Sequence, residues 1–163
     1  MTIFDQAMAI EQEGEALYRK FVLEVSNKGM KKIFTWLADR ELEHYNVFMQ
    51  LKAGKPVSVV ENTILKDVKD IFGEWLEKTP RIETNATRAD LYRKALEVEK
   101  KSISVYEKHA ATADLPQKGI FLKIAAEEKG HKRILENIIQ FVTKPEAWSV
   151  NPEFSLLDKD YNL

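Results

Sequence analysis

An apolar stripe with a 3-4 spacing recurs in four long segments of this chain and constrains its fold more than any other feature. Residues three and four apart share one face of an α-helix, so each stripe predicts an amphipathic helix that buries that face. Breakers such as Gly54-Lys55-Pro56 and Leu115-Pro116 limit the segments. The core-facing positions, segment by segment, are Phe4, Ala7, Glu11, Gly14, Tyr18, Phe21 and Val25; Phe34, Leu37, Glu41, His44, Phe48 and Leu51; Tyr92, Ala95, Glu99, Ser102, Tyr106 and His109; and Phe121, Ile124, Glu128, His131, Leu135, Ile138 and Val142.

The breakers also predict how the four helices are connected. Short connections at residues 27–29 and 113–116 each join two helices into an antiparallel hairpin. The long connection between the hairpins contains an amphipathic piece, from Ile64 to Glu77, that predicts a short helix. An all-α four-helix bundle with one long crossover has the connectivity of ferritin-like folds. We expect one bundle domain over residues 1–144, and a C-terminal tail, residues 145–163, that packs on the bundle or on a partner subunit.

Each apolar stripe is interrupted near its middle by ionisable residues. These residues are Glu11, Glu41 with His44, Glu99, and Glu128 with His131. Two of the interruptions have the spacing Glu-x-x-His, which puts a carboxylate and an imidazole on one helix face, ~4.5 Å apart along the axis. Buried carboxylates are costly and repel one another when they are close together. A pair of divalent cations is the simplest compensation, so the pattern predicts a two-metal site inside the bundle.

The two halves of the chain repeat the same arrangement. Residues 10–18 match residues 98–106, and residues 37–44 match residues 124–131. The single glutamate precedes the glutamate of Glu-x-x-His by 30 residues in the first half and by 29 in the second. A bundle with pseudo-twofold symmetry would therefore place the two sets of candidate ligands opposite each other around two metals.

Composition narrows the classes of function. The chain has no cysteine, which excludes disulfides, thiolate zinc sites, iron–sulfur clusters and a cysteine nucleophile. The net charge is −1 with acidic and basic residues interleaved, so we expect no nucleic-acid partner. The sequence has no run of 18 apolar residues, and its N-terminus lacks the basic and apolar regions of a signal peptide. We expect a cytoplasmic protein with no membrane partner.

With these residues in view, the sequence resembles the rubrerythrin branch of the ferritin-like superfamily over residues 2–142. That superfamily builds its metal centre from one glutamate on each of two helices and Glu-x-x-His on each of the other two. The tail, with Trp148 and Phe154, also resembles the tails of single-domain rubrerythrin-like proteins. The tail and the resemblance together predict a homodimer.

Carried over position by position, the resemblance gives metal-binding roles to all six residues. Glu41 and Glu128 are the implied bridging carboxylates. The implied terminal ligands are Glu11 with His44, and Glu99 with His131. The resemblance favours two iron ions as the cofactor, although mixed carboxylate and imidazole ligands also suit manganese and can hold zinc.

The resemblance implies an oxidoreductase that reduces hydrogen peroxide or dioxygen in oxidative-stress defence. Full-length rubrerythrins carry a rubredoxin domain whose cysteines bind an electron-transfer iron. Because this sequence has no cysteine, we expect an external electron-transfer protein, such as a rubredoxin, to supply the electrons. Two alternatives are an iron-oxidising, iron-handling protein of the ferritin type and a helical module whose metal is static.

One position departs from the family pattern. Rubrerythrins commonly carry a further glutamate three residues after the third-helix ligand, where this chain has Ser102. The resemblance implies that in rubrerythrins this glutamate exchanges with a histidine as the iron is reduced, which favours peroxide over dioxygen. The resemblance therefore implies a site closer to the four-glutamate, two-histidine set of bacterioferritin-like centres.

Several neighbours of the candidate ligands have two interpretations. Gly14 and Ser102 either allow close helix packing or leave room for dioxygen or peroxide. Tyr18 and Tyr106 either pack in the core with a hydroxyl partner or act beside the metal, and we take them as candidate catalytic residues. Four further glutamates are either solvated or in contact with ligands, and Glu97 is expected to be the most buried of the four. These are Glu13, Glu43, Glu97 and Glu127.

Overall fold

The structure, a computed structural model, describes residues 1–59, 68–71, 73–74 and 86–143. Its long elements are four helices: α1 (Ile3–Glu24), α2 (Lys28–Lys52), α3 (Ala86–Thr112) and α4 (Gln117–Thr143). The described residues contain no strand. The all-α prediction is therefore confirmed. None of the helices in these ranges is long and apolar enough to cross a membrane.

Capping residues set where the first two helices begin. The hydroxyl of Thr2 accepts a hydrogen bond from the Asp5 amide at 3.1 Å, and the Asp5 carboxylate accepts one from the Thr2 amide at 3.0 Å. Asn27 accepts from the Met30 amide at 3.0 Å and caps α2. We expected α2 to begin near Met30, but it begins two residues earlier because the Asn27 cap draws residues 28 and 29 into its first turn.

The helices pack as the two predicted hairpins. Helix α1 packs against α2, α3 packs against α4, and α1 also contacts α3. In the predicted crossover helix, the described residues 68–71 and 73–74 are helical, and Val68 is buried. The rest of that prediction and the tail, residues 145–163, lie outside the described residues.

The core consists of two apolar clusters, one on each side of the polar residues. One cluster contains Phe21, Phe34 and Tyr92, whose rings lie 5.0–5.4 Å apart. The other contains Phe48 and Phe121, with ring centroids 5.1 Å apart. Ring pairs of this kind contribute roughly 0.5–1.5 kcal/mol beyond the area that they bury. The polar residues therefore form one layer, held in position by apolar packing at both ends of the bundle.

Candidate metal centre

All six predicted ligands are buried, with at most 2% of any residue exposed. Their ligand atoms form two groups in which every atom lies within 4.8 Å of the others. The first group is Glu11, Glu41, His44 and Glu128, and the second is Glu41, Glu99, Glu128 and His131. The groups share Glu41 and Glu128, which are the two residues to which the resemblance gives a bridging role.

Glu128 lies between the two histidines. Its Oε1 is 2.8 Å from Nδ1 of His44, and its Oε2 is 3.0 Å from Nδ1 of His131. The Oε1 atom of Glu41 lies 2.9 Å from Nδ1 of His131. The two imidazole rings are nearly parallel, with centroids 5.9 Å apart. Both rings thus present Nδ1 to the carboxylates of the candidate ligands, Glu41 and Glu128 among them, and direct Nε2 away from these ligands.

The two candidate catalytic tyrosines lie beside the outer carboxylates. The hydroxyl of Tyr18 on α1 donates to Oε1 of Glu99 on α3, and that of Tyr106 on α3 donates to Oε1 of Glu11 on α1. The second oxygens, Oε2 of Glu11 and Oε2 of Glu99, are buried without a hydrogen-bond partner. Each outer carboxylate is therefore oriented by a phenol through one oxygen and has the other oxygen available for an ion.

Gly14 makes room for a carboxylate of the layer. A Cβ atom at position 14 would lie 2.7 Å from Oε2 of Glu41, which is closer than van der Waals contact allows. The small residue at position 14 therefore accommodates Glu41. The hydroxyl of the buried Ser102 donates to the backbone oxygen of Glu99 at 2.7 Å, so its hydrogen bond stays within α3.

The electrostatics of the layer favour a cation. Burial and the neighbouring carboxylates raise the pKa of Glu11, Glu41 and Glu99. Burial also opposes ionisation of Glu128, but the imidazoles of His131 and His44 outweigh it and hold the Glu128 pKa well below its ordinary value. The layer therefore holds protons that a bound metal ion would displace.

The pKa values of the two histidines are raised as well, although burial opposes this shift. Burial disfavours the charged form of both His44 and His131, but the adjacent Glu128 carboxylate outweighs burial and raises the pKa of each ring. Protons on the imidazoles thus offset the negative charge of Glu128.

Unsatisfied atoms show that the residues fit a metal pair. Buried polar atoms are nearly always hydrogen-bonded in proteins. Here an oxygen of each of the four glutamates and Nδ1 of His44 are buried without a hydrogen-bond partner. Although Nδ1 of His44 lies close to Oε1 of Glu128, the two atoms lack hydrogen-bond geometry. Mixed oxygen and imidazole ligands suit iron or manganese and can accept zinc, so this donor set fits a two-metal centre.

The Rubrerythrin family model matches residues 2–139, a range that includes all six candidate ligands. The chain belongs to the rubrerythrin family. Comparisons with curated proteins and with solved structures give no match. Proteins of the rubrerythrin family bind a pair of iron ions, and the buried layer here is a carboxylate and histidine cluster able to hold metal.

The sequence pattern does not single out Arg40 of this rubrerythrin site, and it predicts that Glu127 is either solvated or in contact with a ligand. Arg40, with only 4% of its side chain exposed, donates from Nε and Nη2 to Oε2 of Glu127, at 3.0 and 2.6 Å. The same Glu127 oxygen lies 3.1 Å from Nε2 of His44. Opposite charges at matched positions of the two halves, Arg40 and Glu127, are a sequence signal that could have revealed the pair. Glu97, which we expected to be the most buried of the four further glutamates, is instead exposed and pairs with Lys100 at 2.7 Å, and Glu127 is the more buried of the two.

Proposed function

We propose that this protein is a di-iron oxidoreductase that reduces hydrogen peroxide or dioxygen with electrons from an external donor. The observation that supports the proposal is the buried layer, in which four carboxylates and two imidazoles form two overlapping groups whose ligand atoms lie within 4.8 Å of one another. In the proposed metal centre, Glu41 and Glu128 would be shared between the two ions. Glu11 and His44 would complete the ligands of one ion, and Glu99 and His131 those of the other.

A ferrous pair supplies two electrons, which together with two protons reduce hydrogen peroxide to two water molecules. The chain's own part is to bind the ions, compensate their charge and keep bulk water out of the bundle. Burial and the neighbouring glutamates raise the pKa values of Tyr18 and Tyr106 well above their ordinary value. Both phenols therefore keep their protons and remain donors to the outer carboxylates at neutral pH.

The proposal includes partners for the chain. The sequence contains no cysteine that could hold an electron-transfer iron, so the electrons would come from a separate protein such as a rubredoxin. We also propose a homodimer, based on Trp148 and Phe154 in the tail, and a cytoplasmic role in oxidative-stress defence.

An anaerobic titration with ferrous iron tests the proposal. We expect saturation near two equivalents per chain, followed by rapid oxidation of the iron when peroxide or dioxygen is mixed in. With a chemical reductant present, the oxidant should be consumed over many turnovers while the iron stays bound. Saturation at one equivalent or none would contradict the two-metal centre. Bound iron that does not react would indicate a static site, and release or accumulation of oxidised iron would indicate iron handling.

Ser102→Glu is expected to widen the preference for peroxide over dioxygen several-fold. Ser102 is neutral and buried next to the Glu99 turn, so the wild-type site lacks a carboxylate that rubrerythrins commonly carry. One negative charge fewer should stabilise the ferrous state and keep both histidines bound in both oxidation states. We expect peroxide to oxidise the wild-type iron with a smaller preference than a rubrerythrin that has this carboxylate.

Parallel stopped-flow experiments with the two oxidants measure this preference. Ser104→Glu is the matched control, because it adds the same charge to an exposed position of α3. An unchanged ratio of the two rates in Ser102→Glu would show that position 102 does not set oxidant choice.

A further inference from the structure

One of the two histidines is held in place from outside the layer. Oε2 of Glu127 lies 3.1 Å from Nε2 of His44 and also accepts two hydrogen bonds from Arg40. Arg40 in turn donates to Glu43 through Nη1. Charge-assisted hydrogen bonds of this kind are short and strong, so Arg40 fixes the position of the carboxylate that faces His44.

The other histidine, His131, has no equivalent support from the part of the chain that the structure describes. The repeat aligns residues 37–44 with residues 124–131, so Arg40 occupies the position that Glu127 occupies in the second half. A guanidinium has no hydrogen-bond acceptor, so Arg40 cannot do for His131 what Glu127 does for His44. Accordingly, Nε2 of His131 is buried without a hydrogen-bond partner among the described residues. The ring of Trp36 lies edge-on to His131, with centroids 5.5 Å apart.

This difference affects how ready each imidazole is to bind an ion. A carboxylate that accepts from Nε2 holds the proton on that nitrogen, which leaves the lone pair of Nδ1 as the ligand. In His44, Nδ1 is the atom that faces Glu11 and Glu128, at 3.4 and 2.8 Å. His44 is therefore held in the orientation that a metal requires, with Nε2 keeping its proton once an ion takes Nδ1, whereas nothing comparable among the described residues orients His131.

We propose that the Arg40–Glu127 pair makes the two metal positions unequal, so that the position with His44 binds its ion first and more tightly. The proposal rests on the two-metal centre of the proposed function. Arg40 and Glu127 are positioning residues, because they act through His44 rather than on the ions. Groups that support a metal ligand in this way typically change metal affinity by roughly 10–100-fold.

Cobalt(II) titrations of single-site variants measure the inequality without any assay of activity. The change in visible absorption reports each bound ion. His131→Ala should retain the position with His44, and His44→Ala the position with His131. We expect cobalt to bind the His131→Ala protein about 10–100-fold more tightly than the His44→Ala protein.

Glu127→Gln, made in both backgrounds, separates positioning from general damage. It should weaken cobalt binding in the His131→Ala protein and leave binding in the His44→Ala protein nearly unchanged. Glu43→Gln is the matched control, since it removes a second carboxylate that pairs with Arg40 and leaves the Glu127–His44 contact intact. Circular dichroism melting curves should show that every variant compared is folded.

A charge exchange gives the strongest test. Arg40→Glu combined with Glu127→Arg moves the carboxylate to the side of His131 and should reverse which single-site background binds cobalt more tightly. Equal affinities in the two backgrounds, or an equal effect of Glu127→Gln in both, would overturn the inference while leaving the metal centre in place. Failure of the wild-type protein to bind cobalt, ferrous iron or any other divalent ion would overturn the proposed function itself.

Discussion

Replacing either Glu41 or Glu128 by alanine is expected to remove both metal ions from each chain. Both glutamates belong to the two ligand groups at once, and the two oxygens of Glu128 lie within 3.0 Å of different imidazoles. In the proposed centre, loss of either side chain would take a ligand from each ion and would also remove negative charge that holds the two cations close together. By contrast, Glu99→Ala should weaken mainly the ion nearest His131.

Metal analysis after dialysis, together with ferrous titration, measures the result. We expect no stably bound ion in Glu41→Ala or Glu128→Ala, about one in Glu99→Ala, and two in the wild type. Glu128→Gln keeps the volume of the side chain, so it separates loss of a ligand charge from the cavity that alanine leaves. Glu97→Ala is the control on the exposed face of α3 and should bind two ions. One tightly held ion in Glu128→Ala would show that Glu128 does not bridge.

The polar layer was predictable because helical periodicity alone decides which side chains face the core. Glu99 lies on the same stripe as Tyr92 and Tyr106, and all three are buried. The same geometry explains the incorrect expectation for Glu97. Two residues along a helix are about 200° around its axis, so Glu97 faces away from the layer when Glu99 faces into it.

The partners of the tyrosines could not be read from one helix. Tyr18 follows Glu11 by seven residues, about 10.5 Å along the axis, which is too far for a direct contact between neighbours on a straight helix. It reaches Glu99 instead, because α1 and α3 run antiparallel and bring that carboxylate to its level. Such pairings depend on how the helices are arranged in space, which a pattern along the chain does not specify.

The Arg40–Glu127 pair illustrates the same limit for charges at the edge of the layer. A residue next to a buried glutamate lies about 100° from it around the helix, where it can face either solvent or the adjoining helix. Only the distance between α2 and α4 decides that Glu127 reaches both Arg40 and His44. The pattern along the chain does not give this distance, so the sequence leaves Glu127 as either solvated or in contact with a ligand.

Metal loading is expected to raise the free energy of unfolding by several kcal/mol, although the metal-free protein remains helical. The apolar clusters on either side of the layer need no ion, and residues such as Leu37, Phe48 and Leu135 are fully buried in them. An ion that binds only the folded chain stabilises it by about 4 kcal/mol per site at a thousandfold excess over Kd. Anaerobic denaturant titrations of the metal-free and metal-loaded protein, followed by circular dichroism, measure the difference. A metal-free sample with the spectrum of a random coil would contradict the prediction.

Glu99→Gln should change the free energy of unfolding in opposite directions in the metal-free and the metal-loaded protein. Burial and the carboxylates of Glu41 and Glu128 raise the pKa of Glu99 well above its ordinary value, so the metal-free fold bears the cost of a buried acidic group. Glutamine has a similar shape, carries no charge and can still accept the hydrogen bond from Tyr18. We expect the metal-free variant to be at least as stable as the metal-free wild type. The loaded variant should be less stable than the loaded wild type, because about one ion's contribution is lost.

Two further variants complete this comparison. Glu11→Gln, the pseudo-twofold counterpart whose carboxylate accepts from Tyr106, should show the same opposite effects in the two states. Glu13→Gln changes an exposed glutamate of the same helix and should alter the free energy of unfolding by less than about 0.5 kcal/mol in either state. If Glu99→Gln and Glu11→Gln destabilised the metal-free protein as much as the loaded one, the buried carboxylates would be stabilising the bundle themselves. If the two variants instead stabilise the metal-free protein and destabilise the loaded one, these carboxylates lower the stability of the metal-free bundle and bound ions more than offset this cost.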